Sequence, residues 1–336
     1  MTRSRGVRHA AERADGAGVS LARFGLAVGH ATDDTGATGC TVIRGVDTPH
    51  RASCAVIGRA TGSRELALLE PGHLVERVDA VLLTGGSAYG LDAAAGIMRW
   101  MEARGRGYAV GPNVVPIVPA AVLYDLAPLG RADARPTPAM AEAACDGAAS
   151  EGIAEGSVGA GTGLTVGKLL GPAGAMKGGF GLAVVEGKGC AAAAMVAVNA
   201  FGDVRDATGR ILAGARVPGG TFADTARAVA AGDAERWNRG ERPPNTTLAV
   251  VAVDAAFSKL ELQQIARAAT AAYHRRISPA GTSFDGDIVF ALSPMEGARA
   301  PLAQAEMLVV AALEAAIERA VRLAKGRDGV PGLADQ

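Results

Sequence analysis

The chain has 336 residues, enough to bury one large core or two ordinary ones. Its 46 glycines, long alanine runs and 4% aromatic content point to closely packed layers, and the absence of a triplet glycine period excludes a collagen. Lys+Arg and Asp+Glu balance at 34 each, so no global field draws nucleic acid or an anionic membrane surface. A small, weakly charged or zwitterionic substrate suits that balance.

Cys40, Cys54, Cys145 and Cys190 lie far apart with no CxxC spacing, which argues against a metal site or a disulfide framework and favours a reducing compartment. Residues 1–18 are charged, lack an apolar h-region and read as a mobile tail. The apolar runs Cys190–Val198 and Met307–Ile317 are too short or too charged to cross a bilayer. A cytoplasmic protein without cofactor or metal is the expectation.

In chain order, the apolar runs predict strands at Gly39–Ile43, Ala80–Leu83, Gly181–Val185, Ala193–Val198, Thr247–Val253 and Asp287–Leu292. Several are continuously apolar, as in sheets covered on both faces. Helices are predicted at Tyr89–Arg104, with Leu91, Ala95, Met98 and Met101 on one face, and at Ser258–Arg275, with Leu260, Ile265, Ala269 and Ala272 on one face. Ser258 and Glu261 have capping-box spacing. A third, long helix is predicted at Leu302–Leu323. The last hundred residues thus alternate strand and helix, a layered α/β or α+β pattern. Between them, Phe201–Pro244 reads as a long, polar, glycine-rich loop ending in Pro243-Pro244-Asn245, where paired prolines hold the chain extended.

Four segments carry residues with chemical potential. Asn245-Thr246-Thr247 leads into an apolar strand; taken alone, Thr there is explained by the β preference of branched side chains. Asp285-Gly286-Asp287 opens the next apolar strand. If the two strands run parallel, joined by the intervening helix, both starts share one sheet edge and the carboxylates approach Thr246. Turn residues are the plain alternative for the two aspartates. Thr84-Gly85-Gly86-Ser87-Ala88-Tyr89-Gly90 passes from strand through a glycine turn into a helix, a shape that aims backbone N–H groups at an oxyanion but lacks the P-loop and dinucleotide spacings. Lys168 follows the glycine-rich Gly156–Gly163 run, and Asn199 ends an apolar strand; each alone reads as ordinary. His30 and His274 sit in no triad spacing.

Together these segments resemble the DmpA-type aminopeptidases and nylon-oligomer hydrolases (NylC), from about Gly25 to Lys325. The likeness rests on Val28-Gly29-His30-Ala31-Thr32-Asp33 with Thr38–Val42, Leu83–Leu91, Val115–Leu126 (including Tyr124-Asp125), Gly159–Lys168, Lys177-Gly178-Gly179-Phe180-Gly181, and the Asn245-Thr246 and Asp285-Gly286-Asp287 motifs. The resemblance implies a single hydrolase domain over 19–336, a four-layer αββα sandwich like that of N-terminal nucleophile hydrolases with DmpA-like connectivity. It implies self-cleavage between Asn245 and Thr246 into chains 1–245 and 246–336, with Thr246 as nucleophile. Tyr89 and Asn199 map as oxyanion donors, Lys168 as the catalytic lysine, and Asp285 and Asp287 as the carboxylates. Homo-oligomers of four or more subunits are also implied. Thr as nucleophile with Asp-Gly-Asp follows the nylon-oligomer branch; the aminopeptidase branch usually has Ser.

The chemistry expected of such a site is simple. A new N-terminal threonine supplies a hydroxyl and, on the same residue, an α-amine with a reference pKa of about 7.7–8.0 that accepts its proton. The aspartates would orient that amine and Thr247, and Lys168 would keep the amine neutral or stabilise negative charge. Small peptides or ω-amino-acid oligomers are the expected substrates. The competing readings are a strict aminopeptidase, an acyltransferase like the ornithine acetyltransferases (for which Asn245 is a mismatch), and a non-catalytic ligand-binding protein.

Overall fold

In a computed structural model, residues 8–9, 19–234 and 245–335 are described. The mobile-tail expectation for residues 1–18 and the paired prolines at 243–244 fall outside them, apart from Arg8–His9, whose backbone pairs with Val185 and Glu186.

Two sheets stack face to face. The larger has seven strands in the order Arg8–His9, Gly179–Glu186, Ala191–Asn199, Thr246–Val253, Ile288–Pro294, His50–Val56, Arg77–Val78. The smaller has five, in the order Leu26–Asp33, Thr38–Gly45, Ala80–Thr84, Ala120–Val122, Ser63–Arg64. All six strands predicted from apolar runs are present, each within two residues or so of its expected ends. The alternation of side chains separates three apolar layers. Leu248, Val250, Phe290 and Met195 face Leu26, Val28, Ile43, Val81 and Leu83 between the sheets. Ala249, Val251, Val289 and Val196 face outward onto Leu262, Ile265, Val309 and Leu313 of the C-terminal helices. Cys40, Val42 and Leu82 face outward on the other side, onto Ile97, Trp100, Ala141 and Ala144. The result is the four-layer αββα sandwich.

The helices differ from expectation in detail. Tyr89–Arg104 is a tight 3-10 turn over Ser87–Ala93 followed by an α-helix over Ala94–Glu102, and the buried face is Ala94, Ile97, Trp100 and Met101. The Ser258 capping box is formed, its hydroxyl accepting from the Glu261 amide while the Glu261 carboxylate accepts from the Ser258 amide. That helix buries Leu262, Ile265, Ala266 and Ala269, leaving Leu260 55% exposed. A 3.6-residue period places 262, 265, 266 and 269 on one stripe and 260 beside it. The segment from Phe201 is not one long loop. It contains strands Asp203–Arg205 and Ile211–Ala213 and a helix Thr225–Ala231. Asp203 fastens it, buried and accepting from the Ala215 amide at 2.8 Å, the Thr225 amide at 2.6 Å and the Thr225 hydroxyl at 2.8 Å. A carboxylate that satisfies three donors pins the segment beside its small apolar cluster of Phe201, Ala215 and Ala234.

Candidate active site

The site gathers where several strands of the larger sheet end. Thr246–Val253 and Ile288–Pro294 run parallel, Leu248 beside Ile288, so both chemistry-bearing motifs open at the same edge. On its other side, Thr246–Val253 pairs antiparallel with Ala191–Asn199, placing Asn199 directly opposite Thr246. Cross-strand partners project to the same face. Thr246 is 6% exposed, and Asn245, Asn199, Asp285 and Asp287 are buried around it.

Backbone and side-chain bonds knit this edge tightly. The Thr246 hydroxyl donates to the Asn245 carbonyl oxygen at 2.5 Å, and the Gly286 amide donates to the same oxygen at 3.0 Å. Asp287 accepts from the Thr247 amide at 2.6 Å through one oxygen and from the Gly281 amide at 3.2 Å through the other. Asp285 accepts from the Thr282 amide at 2.6 Å, and its backbone bridges that of Asn245. Gly286 leaves no room for a side chain: a Cβ there would stand 2.7 Å from the Thr246 hydroxyl oxygen and 2.9 Å from the Ala60 carbonyl oxygen. Only glycine lets the two strand starts approach this closely.

Lys168 reaches in from a turn after the glycine-rich run, its ammonium donating to the Asn199 backbone oxygen at 3.0 Å and side-chain oxygen at 2.9 Å. The Asn199 side-chain oxygen also accepts from the Thr165 amide at 3.1 Å, while its amide nitrogen donates to the Tyr124 carbonyl at 3.0 Å. Donors on one end and an acceptor on the other fix which way the amide points.

Burial sets the charges. Desolvation lowers the Lys168 pKa to about 7, against the pull of Asp285 and Asp287. Desolvation, with the Asp285 charge beside it, raises Asp287 to about 7, and desolvation raises Asp285 as well. Asp287 and Lys168 therefore titrate near neutrality, where an acid–base site has to operate, with Asp285 raised above the ordinary carboxylate range beside them.

Of the expected site residues, the structure brings Asn245, Thr246, Lys168, Asn199, Asp285 and Asp287 together. Tyr89 stands apart: it is 67% exposed, its ring lies under the Arg135 guanidinium at 4.7 Å, and no described hydrogen bond joins it to the cluster. Tyr124 is the aromatic residue whose main chain touches Asn199. It lies within the Val115–Leu126 signature, but nothing in residue spacing singles it out, because its place depends on the stacking of the two sheets, which sets Tyr124, just past Ala120–Val122 of the smaller sheet, against Asn199 at the end of a strand of the larger. Tyr273 was likewise invisible as a site residue. Its hydroxyl lies 3.1 Å from both the Thr247 and Ile288 carbonyl oxygens, tying the two strands together beneath the site. Among the described residues, no group of three His, Cys, Asp or Glu side chains is placed to hold a metal ion, and no helix is long and apolar enough to cross a membrane.

An uncharacterized aminopeptidase of Mycobacterium tuberculosis is 42% identical over 275 residues, covering 78% of this chain and 77% of that one. A 6-aminohexanoate-oligomer endohydrolase of a Kocuria strain is 30% identical over 286 residues, covering 81% and 74%. Among solved structures, a Burkholderia beta-aminopeptidase superposes with a TM-score of 0.64 over 92% of this chain and 88% of its own, at 20% identity. The L-aminopeptidase D-Ala-esterase/amidase of Ochrobactrum anthropi, described as a variant of the Ntn-hydrolase fold, gives 0.65 over 91% and 86%, at 23% identity. These two likenesses concern the fold alone. The sequence profile of peptidase family S58 matches residues 24–331, and the chain belongs to that family.

Proposed function

We propose that this peptidase-family hydrolase processes itself at Asn245–Thr246 and then cleaves amide bonds through an acyl-enzyme on Thr246. The observation that carries the reading is the junction itself: the Thr246 hydroxyl lies against the Asn245 carbonyl it would attack, and the Gly286 amide already points at that carbonyl's oxygen. In the cleavage step, the Thr246 oxygen adds to the Asn245 carbonyl carbon and its proton passes to the carboxylate pair. The peptide C–N bond then breaks as the Thr246 nitrogen takes up a proton, and water opens the resulting ester. Negative charge on the Asn245 oxygen is met by the Gly286 N–H, a preorganised donor that moves little as the charge develops.

After processing, the freed α-amine sits on the nucleophile's own residue and takes the hydroxyl proton during substrate attack. Asp287 holds the Thr247 amide, and so fixes where that amine can be. Asn199, directly across from Thr246, is the side chain best placed to donate to a substrate oxyanion; Lys168 polarises its amide from the oxygen end. Tyr89 is a second proposed donor from the exposed rim.

Small peptides and ω-amino-acid oligomers are the proposed substrates, following the aminopeptidase and 6-aminohexanoate-oligomer endohydrolase names of the relatives. Intact mass and N-terminal sequencing of the purified protein test the reading first. Fragments of 245 and 91 residues, the second beginning at Thr246, are expected. A chain that stays whole while hydrolysing amides overturns it. A panel of aminoacyl p-nitroanilides and linear 6-aminohexanoate oligomers then separates exo- from endo-cleavage.

A further inference from the structure

Lys177 is a second buried lysine that the scheme above does not use. It is 1% exposed, on the short strand Met176–Lys177, and its ammonium donates to two backbone oxygens, Thr162 at 2.7 Å and Leu164 at 2.8 Å. A lysine so enclosed is costly to a fold unless its charge does something there. Its bonds lead back to the active site. The Leu164 carbonyl and the Thr165 amide belong to one peptide unit, and the Thr165 N–H donates to the Asn199 side-chain oxygen. The Asn199 amide in turn donates to the Tyr124 carbonyl.

We propose that Lys177 is a positioning residue for amide hydrolysis, polarising and orienting the Asn199 amide through the Leu164–Thr165 peptide. The relay runs from the Lys177 ammonium to the Leu164 oxygen, from the Thr165 N–H to the Asn199 side-chain oxygen, and so to the Asn199 NH2. Each bond withdraws electron density from the next donor and strengthens it, as hydrogen-bond chains do in a low dielectric. Lys168 acts on the same Asn199 oxygen directly; Lys177 acts on it through one peptide.

Asp125 completes the device. It follows Tyr124 in the chain, is buried, and accepts from the Thr38 hydroxyl at 2.7 Å and the Gly86 amide at 2.6 Å. Gly163 packs onto it so closely that a Cβ there would lie 2.8 Å from the Asp125 Cβ. Asp125 and Lys177 favour each other's charged forms, with Asp328 also favouring the ammonium and Arg327 opposing it. The carboxylate thus steadies the Tyr124 end of the relay while offsetting the charge at the Lys177 end. Desolvation brings Lys177 to about 7, so the relay weakens as its ammonium is lost above neutral pH.

The inference rests on the reading of Thr246 as nucleophile with Asn199 as donor, and the test keeps the two apart. Full-length parent, Thr246→Ala, Lys177→Met, Lys177→Arg and Asp125→Asn are compared for processing by intact mass, and for kcat and KM on the best substrate of the p-nitroanilide and 6-aminohexanoate-oligomer panel. Processing uses the Gly286 donor, so Lys177→Met is expected to process, to keep its KM, and to lose kcat by about ten- to a hundredfold, less than loss of an oxyanion donor itself. Lys177→Arg stays charged, so its kcat relative to the parent is expected to rise between pH 7 and pH 9. Asp125→Asn is expected to move the parent's loss of kcat to lower pH. Should Lys177→Met fail to fold, the Lys177→Arg pH ratio decides alone: a ratio flat with pH overturns the inference. Unchanged kcat in Lys177→Met, with Thr246→Ala inert, sinks this inference and leaves the nucleophile standing. An active, processed Thr246→Ala sinks both.

Discussion

Asn199 stands directly opposite Thr246 across the central antiparallel pair of the larger sheet, and the Lys168 ammonium bonds both of its oxygens. Register thus places an amide, a hydroxyl and a lysine together from segments spread over 78 residues of chain. The first prediction tests that register by its tightest contact. A methyl at position 286 would press on the Thr246 hydroxyl oxygen and on the Ala60 carbonyl, neither of which can swing away cheaply. Gly286→Ala is expected to slow processing by about a hundredfold or more through a displaced hydroxyl. It is also expected to destabilise the fold by about 1–3 kcal/mol. Thr246→Ser, which keeps the hydroxyl, is expected to process. Time courses of fragment appearance on a denaturing gel check both, and a Gly286→Ala chain processed at the parent rate would show that the hydroxyl has slack.

Two tyrosines give a second comparison. Tyr124 has its main chain bonded to Asn199, whereas Tyr89 is exposed and stacked on Arg135. Tyr124 thus adjoins the site while Tyr89 stands on the rim, and Tyr124→Phe is expected to lower kcat/KM more than Tyr89→Phe. Paired kinetic assays on one amide substrate decide it. Equal activity of Tyr124→Phe and parent, with a large loss in Tyr89→Phe, would leave Tyr89 as the tyrosine that serves the site.

The sequence reveals most of what local pattern encodes. Thr247–Val253 and the strand after Asp287 are apolar runs bounded by polar residues, so their existence, and with one helix between them their parallel pairing, follow from period and length. Leu26–Asp33 and His50–Val56 were not visible, since Gly29, His30, Thr32, His50 and Arg51 interrupt any apolar period. His30 is tolerated there because it is half-buried and neutral: desolvation lowers its pKa to about 4, and its two ring nitrogens meet the Thr41 hydroxyl and the Ala154 carbonyl. The lysine relay was illegible for a different reason. Lys177 and Thr165 matter through backbone groups they bond, and backbone bonding leaves no residue-type signature.

Tyr273 carries the third prediction, about stability. It is fully buried on the helix Ala271–Arg276, and its hydroxyl bridges the carbonyls of Thr247 and Ile288 just below the site. Tyr273→Phe strands those oxygens on the helix side and is expected to destabilise the protein by about 1–3 kcal/mol. Processing should persist, because no bond in the junction itself is removed. Denaturant unfolding with a processing assay measures both, and an unchanged unfolding midpoint would mean that the two carbonyls find other donors.

The charged cluster also makes stability depend on pH in an unusual direction. Asp287 titrates at about 7 in the folded protein against an ordinary 3.8, so the folded state holds a proton there that the unfolded chain has released. That stability is lost as pH rises from about 4 toward 7. Lys168 titrates at about 7 against an ordinary 10.5, so above 7 the folded state has shed a proton that the unfolded chain keeps, and stability returns as pH rises toward 10. The two contributions together are least favourable near pH 7, where both groups are held charged in a desolvated site. Thr246→Ala precursor is therefore expected to gain more from the added pair Lys168→Met and Asp287→Asn at pH 7 than at pH 5 or pH 9. Unfolding midpoints at the three pH values measure the difference. A difference that is constant across them would mean that burial does not hold these groups at neutral pKa values. A site with such a minimum gives up stability at the pH where its acid–base chemistry runs, as expected when buried charge is kept for reactivity.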